Sequence, residues 1–178
     1  MQEVFGRDIS AIFNPRPLVL IGVCDQDKTC NFTTIVWLTP LSHNPPLLGF
    51  SLRKQSKSYK ILEEHPLCSL SLFDDEGAQT FAECGLKSGN KIDKTHVLPY
   101  RLETINEQAV PIPEAAISLA IVEVYERIDC GDHVLHLCKT HKAYSKEVIE
   151  DNKLISTHPL LCIQSKRYTQ AHAGFEVE

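Results

Sequence analysis

Two short stretches of this chain combine side chains that can hold or move charge. Arg53-Lys54-Gln55-Ser56-Lys57-Ser58 precedes Tyr59-Lys60-Ile61-Leu62-Glu63-Glu64-His65, which reads as a short helix with Ile61 and Leu62 inward. Free N–H groups at a helix start, serine hydroxyls and lysine charge together form a phosphate-binding environment. The plainer reading of the same residues is an N-cap serine beside solvated lysines. Gly131-Asp132-His133 lies between two long strand candidates. Asp132 can set the orientation or tautomer of the His133 imidazole and favour its charged form. A hairpin turn with Gly131 at positive φ accounts for the same three residues.

Other candidates dissolve on inspection. His133, His136, Cys138 and His141 have the composition of a metal site. On a strand, however, His136 and Cys138 share one face while His133 and His141 take the other, so no tetrahedral site is expected. The seven cysteines show no C-x-x-C spacing. Most sit in apolar runs, where a thiol behaves as a small hydrophobe, and all seven are expected to be free, reduced and mostly structural. Cys30 and Cys130, flanked by polar residues, are the two candidates for a reactive thiol. No glycine falls into G-x-G-x-x-G or a Walker loop, and there is no G-x-S-x-G elbow and no H-E-x-x-H.

The elements that must position these groups are strands. Asn31 to Leu52, NFTTIVWLTPLSHNPPLLGFSL, dominates the chain. Asn31, Thr33, Ile35, Trp37 and Thr39 alternate with Phe32, Thr34, Val36 and Leu38, the period of a half-buried strand. Pro40 is expected to end it. The face carrying short hydrogen-bonding side chains and the chain's single Trp suits a flat, polar-edged aromatic ligand. Taken alone, the pattern is better explained by an ordinary exposed sheet face with some threonines.

Leu18 to Val23 is continuously apolar, as in a strand buried on both faces. Leu47–Leu52, Leu67–Phe73, Ala115–Ile128, Val134–Lys142 and Leu160–Ile163 are further strand candidates. A helix is expected from Ala78 to Gly85, with Asp74-Asp75-Glu76 favourably placed at its start. Ser88 to Lys94 reads as a polar loop or short helix. Pro99, Pro111 and Pro113 cut the next segment into short extended pieces, and Glu147 to Asn152 reads as a short helix or turn. Six or seven strands without regular strand–helix alternation exclude a doubly wound sheet and favour an antiparallel barrel with helices at its rim.

At 178 residues the chain suits one domain spanning 1–178. A net charge of -5 argues against a nucleic-acid partner. No apolar run approaches a membrane span. The early acidic residues of MQEVFGRDIS do not form a signal peptide, which points to the cytoplasm.

In this order the pieces resemble the flavin reductase-like, FMN-binding split-barrel family, which includes flavin reductases of two-component monooxygenases and flavoredoxin. The matching segments begin with Asn14-Pro15-Arg16-Pro17 and Asn31-x-x-Thr34-x-x-Trp37-x-Thr39-Pro40-x-Ser42, followed by Asn44-Pro45-Pro46-Leu47. Lys57-Ser58-Tyr59, Ser88-Gly89 with Asp93-Lys94, and Gly131-Asp132-His133-x-Leu135 complete the series over roughly residues 9 to 168. The resemblance implies a mainly β, antiparallel split barrel with short helices, usually a homodimer. It implies that Asn31, Thr33, Thr34, Trp37 and Thr39 line the isoalloxazine and ribityl chain of FMN, with Ser51 and Leu52 approaching through backbone groups. Lys54, Ser56, Lys57, Ser58 and Tyr59 would hold the phosphate, and His133 would be the catalytic-side residue where a nicotinamide stacks. Asn90 stands where many relatives carry Arg, and Lys166-Arg167-Tyr168 replaces the more usual Gly-Arg-Tyr.

The expected activity is hydride transfer from NADH or NADPH to flavin. The alternatives are an FMN electron carrier serving a redox protein partner, and a barrel that keeps the fold as a binding or scaffold protein.

Overall fold

The computed structural model describes residues 2–6, 8–146, 149–150, 153–154, 158–164 and 167–170. In chain order these form α1 (Asp8–Ala11), β1 (Arg16–Pro17), β2 (Val19–Cys24), β3 (Cys30–Ile35), β4 (Leu38–His43), β5 (Pro46–Arg53), α2 (Lys57–Glu64) and β6 (Leu67–Leu72). After a 3-10 turn at Asp75–Gly77 come α3 (Ala78–Leu86), β7 (Tyr100–Ile105), β8 (Gln108–Pro113), β9 (Ser118–Cys130) and β10 (His133–Ser145). The chain continues with β11 (Ile149–Glu150), β12 (Lys153–Leu154), β13 (Leu160–Gln164) and β14 (Arg167–Gln170). No helix among the described residues is long and apolar enough to cross a membrane.

Seven strands form one antiparallel sheet in the order β3-β2-β6-β9-β10-β5-β4. The alternation in β2 divides its side chains between two cores. Val19, Ile21 and Val23 join Ile35 of β3, Phe50 and Leu52 of β5, and Val122 and Val124 of β9 in one cluster. Residues from opposite ends of the strand order meet there, so the sheet has curled on itself into a barrel. Ile61 and Leu62 of α2 complete that cluster. Leu18, Leu20 and Phe32 face the other way and pack with Phe73, Phe81 and Cys84, seating α3 against the outside of β2 and β3. The doubly buried reading of Leu18–Val23 therefore holds, and the fold is the mainly β split barrel expected.

Several local expectations need correction. The strand over Asn31–Thr39 is broken: β3 ends at Ile35, Val36 and Trp37 bridge, and β4 contains Pro40. Proline is tolerated because β4 is the sheet edge, and the pairing shifts register between Pro40 and Ser42. The proline-cut segment is a regular hairpin, β7 with β8, turning on Asn106 and Glu107 at φ 47 and 68, the positive values of a tight hairpin turn. Within 147–152, Ile149–Glu150 is a strand paired with Lys153–Leu154 rather than a helix. The rest of that span lies outside the described residues, as does Lys166.

The cysteines also divide differently. Cys24 and Cys30 are directly opposed at the ends of β2 and β3, with Cα atoms 4.1 Å apart, and form a disulfide. Cys30 is thus not a free thiol. Sequence spacing concealed this pair because the antiparallel register, not a C-x-x-C turn, brings it together. Cys68, Cys84, Cys130, Cys138 and Cys162 are free. Burial raises the Cys138 thiol to about 12 and Cys84 to about 11, which makes both unreactive. Because the disulfide closes a short loop, Cys24→Ser with Cys30→Ser is expected to lower stability by about 2 kcal/mol in urea denaturation. An unchanged midpoint would mean that the thiols are reduced under those conditions.

Candidate functional site

A cleft of about 1040 Å³ runs between the barrel rim, α2, α3 and the loop after α3. That is the upper end for small-molecule sites. Thr33, Thr34, Trp37, Ser51, Leu52, Lys54, Ser56, Lys57 and His133 all line it. The β3–β4 break brings Trp37 to the rim, where its carbonyl accepts from Ser51 N at 3.0 Å. Thr34 Oγ1 donates to Phe81 O at 2.7 Å, tying the cleft floor to α3. Gly85 sits over the same threonine, where an added Cβ would approach Thr34 to 3.1 Å.

Helix α2 supplies one end. Ser56 is its N-cap, accepting from Tyr59 N at 3.1 Å. This leaves first-turn N–H groups, the Ser56 and Lys57 side chains and Lys60 around the entry to the helix. Ser58 points inward and is fully buried. Its hydroxyl meets Asn31 Nδ2 at 2.8 Å and Thr33 Oγ1 at 2.7 Å, and Asn31 Nδ2 also donates to Thr33 at 3.2 Å. Asn31 and Ser58 are thus the brace behind the cleft, holding α2 to β3. Gly89 packs on that brace so closely that a Cβ would stand 2.1 Å from Asn31 Oδ1. Asn90 Nδ2 then donates to Gln55 O at 2.9 Å, closing the loop after α3 over the start of α2.

At the rim, His133 Nδ1 lies 2.8 Å from Asp132 Oδ1, and the His133 ring leans on Trp37 with centroids 4.6 Å apart. The contact to His133 is the main reason the Asp132 carboxyl is held below its usual range. With Nδ1 engaged, the imidazole presents its other nitrogen for a ligand. Two expected residues stand elsewhere. Tyr59 packs against the barrel core and the ring of His136. Thr39 lies exposed on the edge strand and donates to Pro40 O at 3.1 Å. In the histidine–cysteine set, His136 and Cys138 are buried in the barrel, while His141 reaches Glu123 at 2.6 Å.

The main feature missed from sequence is electrostatic. Among the described residues the cleft lining includes Arg16, Arg53, Lys54, Lys57, Lys60, Lys87, Lys91 and Lys94, and no aspartate or glutamate. Lys94 is buried and donates to Phe32 O at 3.0 Å and Cys84 O at 2.6 Å; burial lowers its pKa. A chain of net charge -5 has gathered eight of its 18 Lys and Arg residues on one concave surface, which focuses potential toward an anion. The basic character of both 53–60 and 86–91 was the available signal, but only the fold places the two segments face to face.

Such a site fits FMN on three counts: a helix N-terminus with lysines for a phosphate, a threonine-lined floor, and a Trp–His rim for a flat ring. The fold is that of a split barrel whose solved examples include FMN-binding proteins. The chain belongs to the flavin reductase-like domain family, whose model matches residues 12–171. The FMN-binding protein from Thermus thermophilus with bound p-hydroxybenzaldehyde superposes with a TM-score of 0.87 at 24% identity, covering 99% of this chain and 100% of the other. Flavoredoxin from Methanosarcina acetivorans gives 0.83 at 18%, covering 99% and 95%. The styrene monooxygenase flavin reductase from Pseudomonas putida S12 gives 0.75 at 18%, covering 95% and 99%. Comparison with curated proteins finds no match.

Proposed function

We propose that this chain binds FMN in the cleft and uses it as an NAD(P)H-dependent flavin oxidoreductase. The observation that carries the reading is the cation-lined cleft running from the N-terminus of α2 to the Trp37–His133 rim. When bound, the flavin supplies the hydride-accepting and electron-delivering chemistry. The chain's own residues bind, orient and shield. Ser56, Lys57, Lys54 and the first turn of α2 hold the phosphate. Thr33, Thr34, Ser51, Leu52 and Trp37 bracket the ring and ribityl chain, with Asn31 and Ser58 fixing their framework. His133, steadied by Asp132, orients the nicotinamide donor against the ring.

The test is anaerobic addition of NADH or NADPH to FMN-loaded protein, followed by absorbance. Bleaching is the expected result. Flavin that binds yet stays oxidised would favour an electron carrier fed by a protein donor, and a protein that cannot take up FMN would favour a scaffold. His133→Ala is expected to slow bleaching on the order of ten-fold to a hundred-fold while leaving FMN bound. Unchanged stopped-flow rates would remove His133 from the reaction.

We also propose a homodimer formed through the outer face of β4, β5 and β10. Leu41 covers Gly49 there, Gly49 pairs with Leu137, and Leu135 pairs with Ile128, which is 41% exposed. This apolar strip adjoins the His133 rim, and a self-complementary face of that kind suits a two-fold dimer. Light scattering is expected to give twice the 20.0 kDa of one chain, and a monomer would exclude the assembly.

A further inference from the structure

We propose that Arg53 makes the cleft selective for a nicotinamide dinucleotide bearing a 2′-phosphomonoester, so that NADPH rather than NADH is the donor. This inference rests on the reductase reading above. Arg53 closes β5 and is the direct cross-strand partner of His133. Directly opposed residues in antiparallel strands project from the same face of a sheet. The guanidinium therefore stands on the same rim as His133 and Trp37, and it lines the cleft with them.

Its neighbours leave it available. Lys54 is engaged by Asp129 at 2.5 Å, and the Asp132 carboxylate is turned to His133 Nδ1. Arg53 is exposed, and no side chain among the described residues bonds to its guanidinium. The Asp132 carboxylate is close enough to feel its charge without bonding to it. A free, planar guanidinium binds a phosphate monoester through two parallel N–H···O bonds. A phosphomonoester carries roughly −1.5 to −2 charge near neutral pH. Among the described residues the cleft lining includes no aspartate or glutamate, and the Asp132 carboxylate beside it is held by His133. NADH lacks this group and leaves the guanidinium unengaged.

The experiment uses FMN-loaded protein and two fragments, 2′,5′-ADP and 5′-AMP, titrated against the fluorescence of Trp37, the single tryptophan. Anaerobic flavin reduction by NADPH and NADH is followed in parallel. The expected result is that 2′,5′-ADP binds at least about ten-fold more tightly than 5′-AMP, with the advantage shrinking as salt is raised. Arg53→Gln should abolish the difference and raise KM for NADPH alone, while Arg53→Lys should keep part of it. Equal binding of the two fragments, or a preference that survives Arg53→Gln, overturns the assignment. Reduction by both dinucleotides with equal KM overturns the role of Arg53 and leaves the reductase reading standing. Reduction by neither overturns that reading, and the donor assignment with it.

Discussion

Gly89→Ala is expected to abolish the FMN binding proposed for the cleft. The methyl group would stand 2.1 Å from Asn31 Oδ1, well inside any real contact. Asn31 has little room to yield, being 2% exposed and tied through its amide to Ser58 and Thr33. Either Asn31 rotates and breaks the brace between β3 and α2, or the loop after α3 lifts away from the start of α2. Both outcomes displace the groups proposed to hold the phosphate by something near 1 Å. Loosening one or two charge-assisted hydrogen bonds to a phosphate, worth roughly 1.5–3 kcal/mol each, weakens binding on the order of a hundred-fold. Overpacking of this kind also lowers stability by about 1–3 kcal/mol. Equilibrium dialysis with FMN and a thermal melt would separate the two effects. An unaltered FMN Kd in a folded Gly89→Ala protein would show that the brace does not control the site.

The second large effect concerns pH. His136 is fully buried, stacked on Phe50 at 4.9 Å, and neither ring nitrogen makes a hydrogen bond. Burial first, and the positive charge of Arg127 second, push its pKa from 6.5 down to about 4; backbone groups of Val134 and Phe50, near but outside bonding geometry, offset this slightly. The unfolded chain takes up its proton near pH 6.5, whereas the native state resists until about 4. Stability must therefore fall as pH drops through that window, by about 3 kcal/mol in all, and His136 adds no further loss below it. Above pH 6.5 both states are neutral at this site and it contributes no slope. His136→Phe is expected to remove this part of the acid sensitivity. It should change neutral-pH stability by less than about 1.5 kcal/mol, because an aromatic ring of similar shape keeps the stack. Urea midpoints measured from pH 7 to pH 4 would show it, and parallel slopes in the two proteins would refute it.

Much of the candidate site's inventory was legible in the sequence because it depends on local spacing. The cap at Ser56, the inward Ile61 and Leu62, and the short polar side chains of β3 follow from three- to four-residue and two-residue periods. What spacing could not resolve was division of labour. Asn31 and Ser58 stand in the same short motifs as Thr33 and Lys57, yet they brace the site from behind while the latter pair line it. Thr39 continues the period of Thr33 only if the strand is unbroken, and the break at Val36–Trp37 turns it out to solvent.

By itself the sequence determined the core strands β2, β5, β6, β9 and β10, the start of α2 and the barrel class, since alternation, capping and turn chemistry act within a few residues of one another. Only the tertiary structure decided the Cys24–Cys30 bond, the acceptance of Pro40 on an edge strand, and the gathering of cations opposite α2. Each of these depends on which strand lies beside which and in what register. That arrangement is set by long-range packing of the two cores, and no local pattern encodes it.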